Sequence, residues 1–347
     1  MKKESQLIMA IESSCDEASV AFVRFFDTHF EVLSHVVYSQ IEIHQKTHGV
    51  VPEVAARKHV ETFPWVLDEA ITKAGVGIAD VDCIAVTYGP GLIGSLMMGV
   101  QVAKSLALAY HKPLVAINHL RAHLQTAFFD LEQKKYRDVK FPMMGLLVSG
   151  GHTELVHFTT PVEMKIIGQT LDDAIGESFD KVATLLNLPY PGGPHVSKMA
   201  QQGDVHGFDL PIAMKHSHDY NVSYSGLKTA VRDLVKKNDV HERVADVCAS
   251  FEYVALEQIL QKTVKAVQDF GSKTLCMAGG VSANRVLRSE LVSRFSNSCE
   301  VIIPPFEVCT DNALMIALSA YIELQNGAQA VDYSAVMSKP NLSIEIR

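Results

Sequence analysis

The sequence predicts an α/β protein built from two similar halves. Two parts of the chain, at 83–117 and 274–303, run in the same order from an apolar strand through a glycine-rich turn and a helix to a second strand. Each unit is preceded by apolar strands joined by a turn rich in hydroxyl side chains, at 12–17 and 149–153. Strands that alternate with helices are typical of a largely parallel sheet covered by helices. The chain has 347 residues, which is enough for two such domains.

The composition is that of an ordinary globular protein, with 48% hydrophobic and 20% charged residues. A formal net charge of −8 argues against a surface that coats nucleic acid, although an acidic chain can still hold a local basic patch. The six cysteines show no C-x-x-C spacing, which suits a reducing compartment. The apolar region 92–109 contains Gln101 and Lys104, so it predicts a buried helix and not a membrane span. We therefore expect a cytoplasmic protein without a membrane partner.

Apolar runs and turn residues define the elements of the first half. Pro52 is expected to begin one helix, and a second helix, at 63–74, is expected to end at Gly75. The longest helix is predicted at 92–110, after a tight turn. Strands are predicted at 7–11, 18–25, 30–38, 83–87 and 114–117.

Two turns of the first half carry side chains or spacings that suggest phosphate chemistry. The turn at 12–17 is either solvated or binds a phosphate, directly or through a cation held by Glu12 or Asp16. Gly89 and Gly94 have the spacing of a P-loop, but no lysine follows them, so we exclude a Walker A site.

Two histidines four residues apart, His119 and His123, end the first half. They follow an apolar strand and a natural N-cap, Asn118, so both side chains are expected on one face of a helix, about 5–6 Å apart at Cβ. That spacing suits one metal ion, although such a pair also arises by chance. In the H-E-x-x-H protease motif a glutamate follows the first histidine as general base, whereas here Leu120 does. Three further histidines are expected at the surface or in caps: His44, His48 and His59.

The second half begins after a polar connection at 129–140. Gly150 and Gly151, flanked by hydroxyls, fit either an anion-binding nest of backbone N–H groups or a plain hairpin turn. Asp311 stands at the start of the last helix, where it is either an N-cap or a third metal ligand beside the histidines. Strands are predicted at 143–148, 154–158, 165–167, 274–277 and 300–303, a rigid turn at 190–194, and helices at 174–186, at 242–270 and after the turns at 224–226, 278–284 and 310–312.

Two α/β halves around a cleft, each with a phosphate-type hairpin, resemble the ASKHA architecture of actin, sugar kinases and the Hsp70 ATPase, which has ribonuclease-H-like lobes. Nine short strings narrow the resemblance to the TsaD (YgjD) family, the tRNA adenosine threonylcarbamoyltransferases. The resemblance runs from about residue 7 to residue 325. The strings lie, in family order, at 11–17, 89–91, 119–123, 147–153, 172–181, 190–194, 224–229, 278–285 and 309–312.

The resemblance implies two actin-like lobes around a nucleotide cleft. The N-terminal lobe, at 1–128, carries the histidine pair, and 129–140 is the connection. The C-terminal lobe, at 141–347, carries the nucleotide-binding segments, and its last helix, about 311–326, is expected to return to the cleft.

The resemblance also implies the reaction: the threonylcarbamoyl group passes from threonylcarbamoyl-AMP to the N6 amine of adenosine 37 in tRNAs that read codons beginning with A, and AMP leaves. One Fe²⁺ per subunit, with zinc or magnesium as alternatives, is expected on His119, His123 and Asp311. No general base is assigned, because the transfer is expected to be metal-assisted. The expected adenylate-binding residues are Leu147, Val148, Ser149, Gly150, Gly151, Asp180, Gly193 and Asn284.

The implied partners are tRNA, threonylcarbamoyl-AMP and, in bacteria, the TsaB and TsaE proteins; the small-residue helix after Gly91 is a candidate partner or packing face. Several positions depart from the family pattern. In the first motif Ser13 and Ala18 stand where members commonly have threonine; Ser13 keeps the hydroxyl and Ala18 loses it. Arg121 and Ala122 stand where members often have Glu-Gly, so Arg121 is expected to change contacts with the substrate or a partner, and Ser197 stands where some members carry aspartate. The alternatives are an ASKHA small-molecule kinase, a metalloprotease, which Leu120 argues against, and a scaffold without catalytic activity.

Overall fold

The computed structural model describes residues 4–237 and 240–347. Its strands are β1 (Gln6–Glu12), β2 (Glu17–Phe25), β3 (Phe30–Ser39), β4 (Cys83–Gly89), β5 (Leu114–Asn118), β6 (Phe129–Asp130), β7 (Lys135–Tyr136), β8 (Met143–Val148), β9 (Thr153–Phe158), β10 (Met164–Gln169), β11 (Thr274–Ala278) and β12 (Glu300–Ile302). Its α-helices are α1 (Ile41–His44), α2 (Pro52–Ala74), α3 (Ile93–Tyr110), α4 (His119–Gln125), α5 (Ile175–Leu185), α6 (Gly192–Ala200), α7 (Ser225–Lys237), α8 (Val244–Asp269), α9 (Arg285–Phe295) and α10 (Ala313–Gln325).

The strands form two five-stranded sheets of the same topology, and a small separate sheet joins β6 to β7. The strand orders are β3-β2-β1-β4-β5 and β10-β9-β8-β11-β12. In the first sheet β1 is antiparallel to β2 and parallel to β4, with Ala10 opposite Ala21 and Ala85. In the second sheet β8 has the same relation to β9 and β11. This arrangement confirms the predicted pair of similar α/β halves.

Helices cover both faces of each sheet. On the outer face of the first sheet, α2 and α3 bury Phe63 and Val100 against the strands. On the outer face of the second sheet, α5 to α9 form a larger core that contains Phe179 and Phe251. Because both faces are covered, the central strands are buried along almost their whole length, and this explains why they are continuous apolar runs in the sequence.

A third core lies between the two sheets and contains α4 and α10. Helix α10 packs against β1, β2 and α4, while α4 also contacts β8 and β11 of the second sheet. Leu120 and Leu124 of α4 are buried in this core. The histidine pair is therefore removed from solvent because its helix is held between the two sheets.

The two helices predicted within 52–74 are a single helix, α2, which continues through Pro64. A proline inside a helix removes one hydrogen bond and costs about 3 kcal/mol. Here a continuous stripe of buried side chains from Ala55 to Ala70 outweighs that cost. His59 belongs to this stripe and is buried, so the prediction that it lies at the surface or in a cap was wrong. His44 is buried as well, but it occupies the N-cap position of the short helix Gln45–Thr47, which agrees with the prediction of a cap. His48 is exposed, as expected.

The segment predicted as a rigid turn at 190–194 contains the start of α6. The N–H of Gly192, in the first turn of this helix, donates to Asp180 Oδ1 at 2.6 Å. The acceptor of this N–H, Asp180, lies in another helix, α5. The sequence at 190–200 therefore could not predict that a helix begins there.

The end of the chain returns to the first lobe. The N–H of Val331 donates to Leu114 O at 2.8 Å, and the N–H of Lys339 donates to Tyr88 O at 2.7 Å. Together with the packing of α10 on β1 and β2, these contacts place segments assigned to the second lobe against the first sheet. The division at residues 128 and 141 stays a prediction.

Helix α3 is long and apolar enough to cross a membrane, by length and composition alone. It packs against α2 and β4, and its Leu96 and Val100 are buried there. A core helix of a globular protein passes the same test, so this one helix is weak support for a membrane span.

Candidate functional site

Helix α4 begins directly after β5, as the sequence predicted. Asn118 is its N-cap, because Asn118 Oδ1 accepts the N–H of Leu120 at 3.0 Å and that of Arg121 at 3.4 Å. His119 and His123 consequently lie on one face of the helix, with ring centroids 4.7 Å apart. Both side chains are buried.

Asp311, which directly precedes the N-cap of α10, meets both histidines. His123 Nε2 lies 3.1 Å from Asp311 Oδ1, and His119 Nε2 lies 3.5 Å from the same oxygen. One donor atom from each residue lies within 4.8 Å of the others, and no other group of three or more such side chains meets this condition in the described part of the chain. Asn312, not Asp311, caps α10, so the interpretation of Asp311 as an N-cap was wrong.

Glu12 fixes the orientation of His119. Its Oε2 lies 3.1 Å from His119 Nδ1 and accepts the hydroxyl of Thr87 at 2.6 Å, while its Oε1 accepts the N–H of Ser14. The Ser14 hydroxyl also donates to Asp311 Oδ2 at 3.4 Å. With His119 Nδ1 directed at Glu12, the nitrogen that faces Asp311 is Nε2. When a histidine binds a metal through one ring nitrogen, its other ring nitrogen usually bonds to a carboxylate or a similar acceptor.

The charges in this cluster shift its pKa values in opposite directions. Burial opposes the positive charge on His119, but Asp311 and Glu12 raise the pKa of His119 to about 9. Burial also opposes the negative charge on Asp311, yet His119 and His123 hold its pKa well below the usual range. A metal ion that binds here replaces the proton of His119, since ligands must be deprotonated.

The donor set fits a metal ion. Two imidazoles and one carboxylate are typical ligands of Fe(II) and Zn(II) in proteins. Further carboxylates surround the cluster: burial, followed by the charges of Asp16 and Asp311, raises the pKa of Glu17 well above its ordinary value. The raised pKa of Glu17 indicates that the charges of Asp16 and Asp311 produce a negative potential beside the cluster, which favours a cation.

The turn between β8 and β9 carries the two adjacent glycines of the second lobe. Ser149 Oγ accepts the N–H of Gly151 at 3.3 Å and that of His152 at 3.0 Å. Two of the N–H groups expected to form an anion nest are thus already bonded within the turn. Leu147 and Val148 have fully buried side chains, so only their backbone is available to a ligand.

The glycines of the motifs serve two purposes. A Cβ at Gly176 would lie 2.6 Å from Ser149 O, and one at Gly279 would lie 2.5 Å from Val148 O, so these two glycines allow segments of backbone to pack closely. Other glycines border open space, where an added Cβ meets no atom within 4 Å: Gly150, Gly151, Gly193 and Gly280.

Asp180 and Asn284 both bond to the protein itself. Asp180 accepts the N–H at the start of α6. Asn284 caps α9 through Oδ1, and its Nδ2 donates to Ser197 Oγ at 3.0 Å and to Glu252 Oε1 at 2.7 Å. Each residue therefore anchors a helix at the cleft, and its contact with a nucleotide stays a prediction.

His152 and Tyr190 connect the turns of the second lobe to the first lobe. Burial, followed by the charges of His119 and His123, lowers the pKa of His152 to about 4. Burial, followed by the charge of Asp16, raises the pKa of Tyr190. Since such effects require short distances, the turn that holds His152 stands beside the histidine–aspartate cluster, and Tyr190 stands beside the turn at 12–17.

Comparison with known proteins decides the family. A family model described as TsaD, tRNA N6-adenosine threonylcarbamoyltransferase, matches residues 31–318. Curated relatives with that enzyme name are 43% identical over 339 residues in Thermosipho melanesiensis, 44% over 347 in Clostridium botulinum and 41% over 348 in Bacillus cereus. These alignments cover 97 to 99% of this chain and 98 to 100% of each relative. The chain belongs to the TsaD family. It is a transferase that modifies tRNA.

Solved structures show the same fold at low sequence identity. Full-length HypF matches with a TM-score of 0.61 and 13% identity, over 95% of this chain and 48% of HypF. Component A of (R)-2-hydroxyglutaryl-CoA dehydratase from Acidaminococcus fermentans matches with a TM-score of 0.53 and 14% identity, over 93% of this chain and 100% of that one. The likeness confirms the predicted ASKHA architecture and nothing beyond the fold.

Arg121, which departs from the TsaD pattern, is buried and held by structural contacts. Its Nε and Nη2 donate to Glu323 Oε1 at 3.0 and 2.8 Å, and its Nη1 donates to Ile344 O at 3.1 Å. The guanidinium thus joins α4 to α10 and to the end of the chain. Its side chain is 2% exposed, and a contact with a substrate or a partner protein stays a prediction.

Sequence reasoning missed two residues of the site. The turn at 12–17 marked Glu12 as a cation holder, whereas the structure places it behind His119. Glu252 lies inside the long amphipathic helix α8, where no local sequence pattern distinguishes it from the other carboxylates of that helix. Only its contacts with Ser197 and Asn284 identify it.

Proposed function

We propose that this TsaD-family enzyme transfers the threonylcarbamoyl group of threonylcarbamoyl-AMP to the N6 amine of adenosine 37 in tRNAs that read codons beginning with A. The observation that supports this reaction is the juxtaposition of the cluster of His119, His123 and Asp311 with the glycine turn at 149–151 at one cleft. An acyl-adenylate bound at this cleft has its phosphate near the turn and its carbamoyl group near the cluster.

In the proposed reaction the N6 nitrogen attacks the carbamoyl carbon. The bond from that carbon to the phosphate oxygen breaks, AMP leaves with the electron pair, and the amine releases its proton to solvent. AMP is a good leaving group, so no strong general base is required. The protein contributes by holding the adenylate and the tRNA amine in a reactive orientation.

We propose that His119, His123 and Asp311 hold one Fe²⁺ per subunit, with Zn²⁺ or Mg²⁺ as alternatives. The buried histidine pair, the converging carboxylate and the supporting Glu12 favour a metal ion over a purely structural pair. When bound, such an ion supplies a Lewis acid for the oxygen that gains charge during transfer. Glu12 keeps Nε2 of His119 directed at the same point as Asp311.

The proposed adenylate site uses the carboxyl-terminal end of β8 and the starts of α6 and α9. The glycines that border open space support it, because backbone without side chains permits close approach of a ligand. Asp180 supports it by fixing the first turn of α6. The proposed contact residues are Leu147, Val148, Ser149, Gly150, Gly151, Asp180, Gly193 and Asn284.

We further propose that the enzyme acts in the cytoplasm with tRNA, threonylcarbamoyl-AMP and the TsaB and TsaE proteins. Helix α3 supports a protein partner, because Ile93, Met97 and Leu108 are exposed although the helix is largely apolar. The small residues Gly94 and Gly99 of this helix serve packing: a Cβ at Gly94 would lie 2.8 Å from Ala56 Cβ, and one at Gly99 would lie 2.3 Å from Ser13 Oγ.

The test is tRNA modification by the reconstituted system, with the variants His123→Ala and His216→Ala. His216 is an exposed histidine and serves as the matched control. We expect His123→Ala to fold, to lose its metal in elemental analysis of anaerobically purified protein, and to form no modified adenosine. The control should behave as the wild type.

Normal transfer by His123→Ala would refute the metal site. Failure of the wild type to use threonylcarbamoyl-AMP in the presence of its partners would refute the reaction. Phosphorylation of a small acceptor by ATP without tRNA would instead support the kinase alternative.

A further inference from the structure

We propose that Glu252 of α8 is the carboxylate that binds the ribose hydroxyls of the adenylate and makes the enzyme select ribonucleotides. The proposal rests on the adenylate site described above. It adds a residue that lies outside every sequence motif of the chain.

Three helices meet at Glu252. The hydroxyl of Ser197, on α6, donates to Glu252 Oε1 at 2.5 Å, and Nδ2 of Asn284, at the start of α9, donates to the same oxygen at 2.7 Å. Asn284 Nδ2 also donates to Ser197 Oγ at 3.0 Å, which closes a triangle of three side chains. Two donors on one oxygen fix the carboxylate in a single orientation.

The second oxygen, Oε2, is available to a ligand. Among the described residues no donor bonds to it, and it is absent from the fully enclosed polar atoms that lack a partner. It therefore reaches open space, although Glu252 as a whole is only 5% exposed. Among the described residues, the donors that reach this carboxylate are the neutral hydroxyl of Ser197 and the neutral amide of Asn284. A buried carboxylate without a cation requires hydrogen-bond donors, and a ribose supplies two.

The two partners of Glu252 belong to the segments that we propose for the adenylate site, the start of α6 and the turn before α9. Gly193 stands one helical turn before Ser197 on α6 and borders open space, and Gly280, in the turn that leads to Asn284, does so too. The carboxylate therefore bonds to two segments that each carry a glycine with open space around it. Carboxylates that accept bonds from ribose hydroxyls are a general solution in nucleotide-binding folds.

This arrangement gives Asn284 a second task. Both ends of its amide bond to the protein, Oδ1 to the N–H of Leu287 and Nδ2 to the triangle. Asn284 is therefore a positioning residue that acts through Glu252, and Glu252 is the group that touches the sugar.

The test is calorimetric titration of the full-length protein with AMP and with 2′,3′-dideoxy-AMP. We expect the wild type to bind AMP about tenfold or more tightly than the dideoxy compound, as is typical when a hydrogen bond to a charged group is lost. Glu252→Ala should bind both compounds with the weaker affinity. The control Glu257→Ala lies on the same helix, where Glu257 pairs with Arg294 at 2.5 Å, and should keep the wild-type preference.

Three outcomes would overturn the inference. They are discrimination by Glu252→Ala equal to that of the wild type, an equal loss of affinity for both compounds in that variant, and equal binding of both compounds by the wild type. Should circular dichroism show that Glu252→Ala is unfolded, the isosteric Glu252→Gln carries the test and must reduce the preference at least threefold. Absence of any AMP binding by the wild type would refute the adenylate site itself, and with it the proposed function.

Discussion

Replacing Arg121 by alanine should destabilise the protein, because it leaves a buried carboxylate with fewer donors. The side chains of Arg121 and Glu323 are 2% and 7% exposed, and removing one partner of a buried pair costs about 3–5 kcal/mol. Gln125 Nε2 and Arg347 Nε remain bonded to Glu323, at 3.0 and 2.7 Å. We therefore expect the lower end of the range, about 3 kcal/mol.

Urea and thermal unfolding measure this loss. For a chain of 347 residues about 3 kcal/mol corresponds to a decrease in Tm of roughly 4 °C. The matched control is Arg57→Ala, which removes an arginine from an exposed pair with Glu53, at 78% and 74% exposure. An exposed pair contributes about 0–1 kcal/mol, so the control should change the stability little.

Equal stability of the Arg121→Ala and Arg57→Ala variants would refute the structural role of Arg121. The variant should also bind metal more weakly, because Arg121 holds the helix that carries both His119 and His123. Loss of tRNA binding at unchanged stability would show instead that Arg121 contacts the substrate, as its departure from the family pattern first suggested.

Two further predictions concern the second lobe. Asn284→Ala should lower the affinity for AMP and cost about 1 kcal/mol through loss of the α9 N-cap; unchanged AMP affinity in calorimetry would count against the nucleotide cleft. Glu154→Gln should alter the pH dependence of stability. Burial, followed by the charge of Glu345, raises the pKa of Glu154 from 4.5 to about 7 in the folded state, so between these values the folded protein keeps a proton that the unfolded chain has lost. Wild-type stability should therefore fall as the pH rises from 4.5 to 7, and the variant should lack about 2–3 kcal/mol of that fall in urea titrations at several pH values. Parallel stability curves for the two proteins would contradict this reasoning.

Local patterns predicted those elements whose ends are decided by neighbouring residues. The run at 143–148 coincides with β8, and Asn118 caps α4 as expected. The prediction failed where a distant contact decides the structure. Packing of buried side chains keeps α2 continuous through Pro64. Asp180, in another helix, accepts the N–H of Gly192 at the start of α6. A window of ten or fifteen residues contains neither contact.

The order of the motifs, the repeated strand–helix–strand unit and the metal-binding residue types are properties of the chain, and from them the sequence alone determined the family and the two halves. The tertiary structure decided which side chains meet. His123 and Asp311 are 188 positions apart in the chain and 3.1 Å apart in space. The physical reason is that α4 and α10 are placed by the packing of two whole sheets around them, and the many weak contacts of that core come from every part of the chain.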